Sequence, residues 1–200
     1  MTEPTPDLVR RFYAYMLGRF GGQVLDKQNA TEMKAVAFFL GQIGVLDRQR
    51  FLENFATTLG RRIYLPFEPG VPKGSWSLWK QIVVLTHECQ HIVQYDRLGA
   101  LKFAWSYLSS QAERAQLETE AYGCSLELGY WRFGTLPAAA DVAGSLRGYA
   151  VRDADVKVAE TMLRMQGEAV KHGAVLTEAS RVALAWLGQE ARSIRTVLEN

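Results

Sequence analysis

Histidine and cysteine are scarce in this chain, with three of the first and two of the second among 200 residues. Two cysteines, Cys89 and Cys124, cannot form a disulfide framework, and there is no C-x-x-C pair. They read as buried free thiols in a reducing compartment. An excess of one charge is also missing. The 23 Lys and Arg against 21 Asp and Glu leave a net charge near +2. Arg10-Arg11 and Arg61-Arg62 are too small to form a basic patch, so nucleic-acid binding has no support. Long apolar runs are lacking as well. The longest early one, 35–46, is interrupted by Gly41 and Gln42 and is too short to span a bilayer. The opening MTEPTPDLVRRF contains no apolar core of a secretory signal, so the expected location is cytoplasmic and off the membrane. The triplet Asn29-Ala30-Thr31 matches a glycosylation sequon but is read as the cap of a helix.

What is present is enough apolar sequence for a core: 48% hydrophobic residues, with 22% charged residues spread along the chain. Helical periodicity with Gly or Pro punctuation predicts helices over 6–20, 31–40, 47–59 with Asp47 as N-cap, 76–98 with Ser75 as N-cap, 102–108, 111–128, 139–146, 153–171 and 177–198. The β-rich stretch 62–67 predicts one strand, placed at a sheet edge because it runs into Pro66. The expected fold class is α+β, mostly α, with a small sheet of about three short strands. A single domain over 1–200 is expected, made of N-terminal helices (1–60), a core (61–134) and C-terminal helices (135–200). Val158, Met162, Met165 and Val170, then Val182, Leu184, Ala185 and Leu187, are expected in the core, as are Trp76 and Trp79.

Two of the three histidines fall within five residues, in Thr86-His87-Glu88-Cys89-Gln90-His91. Residues i and i+4 share a helix face, so His87 and His91 can hold one metal ion. Glu88 is rotated by about 100° from His87 and reaches a water on the metal rather than the metal itself. This is the H-E-x-x-H arrangement of zinc proteases, with the glutamate as general base. Cys89 lies on the opposite face and is read as packing. Catalytic zinc takes three protein ligands and leaves a fourth position open. The extended pattern with Gly and a third His is excluded, because Gln94 and Arg97 stand at those positions. His172, before Gly173, is a weak third-ligand candidate and reads better as a helix C-terminal residue. A carboxylate from the helix over 111–128 is the better choice, and that helix offers Glu118 and Glu120.

The run H-E-C-Q-H-I-V-Q-Y, followed by Tyr107-Leu108, Glu113-Arg114 and E-T-E-A-Y, resembles the gluzincin-type zinc metallopeptidases. It is similar above all to small bacterial and phage zincin-like domains, which lie near domains of some secreted toxins. The resemblance covers about 62–129. It implies a zincin-like fold with the sheet packed on the H-E-x-x-H helix, Zn²⁺ as cofactor, and His87, His91 and Glu118 as ligands. Glu118 matches the ligand of the family pattern E-x-x-A-D, while Tyr122 stands where many relatives have aspartate. Glu120 points away from Glu118 and is expected to be solvated and paired with Arg114.

The leading expectation is therefore a zinc-dependent metallopeptidase acting on a peptide or protein substrate. Glu88 serves as base, and an oxyanion donor is drawn from Tyr122, Tyr95 or Tyr107. The resemblance also implies that the predicted strand pairs with extended substrate. The alternative is a structural or interaction component of a larger assembly, such as a phage particle or toxin complex, that retains the fold. A third reading is a regulatory protease that cuts one partner.

Overall fold

The computed structural model describes residues 2–34 and 48–196. The expected continuation of a helix over 35–40 and the Asp47 cap lie outside the described residues. The chain is mostly helical with one small mixed sheet, as the α+β reading expects. Among the described residues no helix is long and apolar enough to cross a membrane.

Helix α1 (Pro6–Phe20) begins where the Thr5 hydroxyl accepts from the Leu8 amide and Pro6 supplies a preset φ. It ends at Gly21, which takes the left-handed φ of 61°. Strand β1 (Gln23–Asp26) follows, then helix α2 (Arg48–Asn54) and the strands β2 (Thr57–Leu59) and β3 (Arg62–Leu65). The helix expected over 47–59 is thus too long. The β-branched pair Thr57-Thr58 ends it in favour of a strand, and Gly60, at φ 61°, turns β2 back into β3.

The sheet order is β1-β3-β2, with β3 parallel to β1 and antiparallel to β2. The expectation that 62–67 forms an edge strand is therefore corrected: β3 is the central strand. Ile63 and Leu65 face the main core while Tyr64 faces a second cluster with Met33 and Phe51. A strand buried on both faces reads as the continuous apolar run seen here. Pro66 lies just past the last paired residue, where its missing N–H removes no ladder bond.

Helix α3 (Leu78–Leu98) starts two residues later than expected, with Ser77 rather than Ser75 as its cap. It carries Ile82, Leu85, Cys89 and Ile92 into the main core, against α1, the sheet and a later helix. Short α4 (Ala100–Ser109) leads to α5 (Gln111–Phe133), capped by Ser110 and closed by Gly134, and longer than the expected 111–128. Helix α6 (Ala139–Gly144), a 3-10 turn (Ser145–Tyr149) and α7 (Asp153–Lys171) build a separate cluster on α5. Helix α8 (Glu178–Glu190) returns to pack on α3 and gives way to a 3-10 turn (Arg192–Ile194), short of the expected 177–198 helix.

Cys89 and Cys124 are buried and unpaired. Trp76 is buried on Phe67. Val158 and Met165 are not core residues: they are 59% and 67% exposed, because α7 buries the stripe Val156, Ala159, Leu163 and Val170 instead. Ala185 is exposed as well.

Candidate metal centre

Helix α3 is unusual in burying polar side chains along much of its length: Gln81, Thr86, His87, Glu88, Gln90, His91 and Gln94. Buried polar groups cost several kcal/mol unless they are partnered, so their contacts report what the helix is for. Gln81 ties the loop at Gly70 and Val71, and the Thr86 hydroxyl donates to the Ile82 carbonyl. Gln90 accepts from the Ala179 amide and donates to Glu120. Gln94 accepts from His91 Nδ1 at 2.8 Å and donates to the Leu117 carbonyl at 2.9 Å. That bond fixes the His91 ring with Nε2 pointing the other way.

The two Nε2 atoms of His87 and His91 lie 3.1 Å apart. Glu118, fully buried on α5, brings Oε2 to 3.4 Å from His87 Nε2 and Oε1 to 3.4 Å from His91 Nε2. Among the described residues this is the one group of three His, Cys, Asp or Glu ligand atoms close enough to share an ion. Zinc bound at about 2.0–2.2 Å to a tetrahedral set of such atoms separates neighbouring donors by about 3.3 Å. The Glu118 Oε2 atom is buried and has no hydrogen-bond donor. An orphaned carboxylate oxygen beside two imidazole nitrogens fits a divalent cation, and His87, His91 and Glu118 could hold one.

Without a cation Glu118 and His91 pair as carboxylate and imidazolium. Burial pulls His91 down, but the Glu118 charge and hydrogen bond outweigh it and lift His91 to about 9. Burial alone would raise Glu118, yet His91 and His87 hold its carboxyl well below the usual carboxylate range.

Glu88 stands outside the ligand group, one residue on from His87, and is 5% exposed. Its Oε2 accepts from the Thr58 hydroxyl of β2 at 2.7 Å. Glu120 turns to the other side of α5, as expected. Its partners are Arg97, at 2.7 Å, and Gln90, not Arg114. Arg114 is occupied elsewhere. It donates to the carbonyls of Tyr107 and Tyr149, each at 2.7 Å.

Three tyrosines surround the centre. Tyr107 donates to Glu118 Oε1 at 2.5 Å, and the Tyr122 ring packs 4.9 Å from that of His87. Burial first, and the Glu118 charge second, push the Tyr107, Tyr122 and Tyr149 phenols upward, so all three remain O–H donors at neutral pH. Tyr149 was not legible as a site residue, since it comes from the turn after α6 with no motif around it. The next residue, Ala150, has a left-handed φ of 53°, and the Arg114 bond to Tyr149 holds this strained turn. Tyr95 packs instead on Phe103 and near Gly60. His172 is an exposed residue at the end of α7 and does not belong to the group.

Sequence reasoning also missed Thr58, concealed in a stretch that reads as helix, and Gln94. The i+3 spacing of Gln94 from His91 was a usable signal. No family model, curated protein or solved structure matches this chain, so the site is interpreted from its own chemistry.

Proposed function

We propose that this chain is a zinc-dependent metallopeptidase with a zincin-like fold, of the gluzincin type. The observation that carries the reading is the buried Glu118 carboxylate. Its two oxygens, one of them with no hydrogen-bond partner, face two histidines, and Glu88 lies alongside without joining them. A purely structural ion has no use for a buried carboxylate held just beside it.

Zinc bound by His87, His91 and Glu118 would acidify a water and polarise the scissile carbonyl. Glu88 takes a proton from the attacking water and passes it to the leaving amine. Tyr107 keeps Glu118 in place. Its hydroxyl is spent on that bond and the Tyr149 hydroxyl bonds Tyr122, which leaves Tyr122, beside His87, as the donor to the developing oxyanion. The substrate backbone pairs with β2, the sheet edge nearest α3, rather than with the central β3.

The test is elemental analysis of protein purified without added metal or a histidine tag, combined with peptide hydrolysis by wild type and Glu88→Gln. About one zinc per chain in both proteins, with turnover lost only in the variant, is the expected result. Equal turnover would remove Glu88 from the role of base.

The alternative, an interaction component of a larger assembly, is favoured by one feature. Leu101, Trp105 and Leu108 form an apolar stripe on α4 and are 90%, 72% and 75% exposed. Zinc binding without turnover of any peptide would favour that reading.

A further inference from the structure

We infer that Thr58 is the positioning residue for Glu88, which rests on the peptidase reading above. A glutamate side chain has three rotatable torsions, and ordering it has an entropic cost. A general base works only if its free oxygen is held where the proton departs. Among the described residues one donor does the holding. The Thr58 hydroxyl, 8% exposed, donates to Glu88 Oε2 at 2.7 Å, with the Glu88 carbonyl as a longer second acceptor at 3.4 Å. That holds Oε2 in place and leaves Oε1 to act.

The strand carrying Thr58 is itself anchored. Lys27, fully buried at the end of β1, donates to the Phe51 carbonyl, the Phe55 carbonyl and the Thr57 hydroxyl at 2.9, 2.9 and 2.7 Å. The three acceptors lie on α2, just past its end and at the start of β2. Burying a lysine with only neutral acceptors is costly. It is explained if the position of β2 against α3 must not drift. On the other side β2 is fixed by its ladder to β3, in which Thr58 pairs with Ile63. Thr58 thus reaches α3 from a strand anchored by its ladder to β3 and, at its first residue, by Lys27.

The test is Thr58→Val, which keeps the shape and removes the donor. Turnover of a peptide by the zinc-loaded chain should fall about tenfold or more in kcat, with KM and zinc content unchanged. Thr58→Ser should restore it. A merely structural threonine would instead change zinc content, or leave Thr58→Ser as impaired as Thr58→Val, and either result, or full activity in Thr58→Val, overturns the proposal. If the wild type cleaves nothing, the peptidase reading fails by itself and the hydrogen bond is tested by unfolding. Thr58→Val, Glu88→Ala and the double variant should show a coupling of about tenfold in the unfolding equilibrium constant. Additive effects would overturn the pairing.

Discussion

Glu118 and His91 form a buried ion pair in the metal-free chain, and its two halves titrate on opposite sides of neutrality. His91 is raised from 6.5 to about 9 in the folded chain, so its contribution is complete below pH 6.5 and lost as pH rises through about 9. Glu118 is lowered from 4.5, so its contribution is complete above that value and lost as pH falls through its depressed range. The metal-free protein should therefore lose stability between pH 6.5 and 9, read as a falling urea midpoint. Zinc affinity should rise over the same interval, because the proton on His91 must leave before the ion binds. The two glutamates of α5 separate at this scale too. Glu118→Ala should abolish stoichiometric zinc. Glu120→Ala removes a partly exposed pair with Arg97, so it should leave zinc content intact and cost less than about 1 kcal/mol in denaturant unfolding.

Helices α3 and α5 carry the site, and their opposite faces carry the means of aligning it. On α5, Glu118 faces the histidines while Glu127 faces α8. There Glu127 accepts from the Thr177 amide at 3.1 Å, from its hydroxyl at 2.5 Å, and from the Leu176 amide. It closes the N-terminus of α8 from another helix, at 3% exposure. Glu127→Ala should cost about 2–4 kcal/mol in urea unfolding, because buried donors lose their acceptor, while zinc stoichiometry stays unchanged. Element boundaries followed local chemistry only where that chemistry was unambiguous. Thr5, Ser110 and Thr177 cap helices near where the periodicity places them. The strand of Thr57-Thr58 was hidden because three residues after a helix have no period of their own. Pairing with β3 created it.

At the scale of the whole molecule, the site bridges two bodies of packing. The main core joins α1, the sheet, α3 and α8, and the smaller one joins α5 to α6 and α7. His87 and His91 belong to the helix of the first, while Tyr149 arrives from the turn of the second. An ion at the centre would tie them together and stabilise the folded chain by mass action. Zinc at a hundredfold excess over its dissociation constant should add about 2.7 kcal/mol, seen as a higher thermal midpoint that a chelator reverses. An unchanged midpoint would remove the ion from the native state.

The sequence by itself determined whatever depends on neighbours within a helical turn. This covers the helical texture, the shared face of His87 and His91, the rotation of Glu88 away from them, and the opposed directions of Glu118 and Glu120. The helix period sets all of these. Tertiary structure alone decided what depends on segments far apart in the chain. It made β3 central rather than an edge, because both of its faces found cover. It sent Glu120 to Arg97 and freed Arg114 to hold Tyr107 and Tyr149. It also brought Thr58 to Glu88 across a strand pairing that no local pattern announces. Such contacts follow from which surfaces bury each other, and periodicity carries no record of that choice.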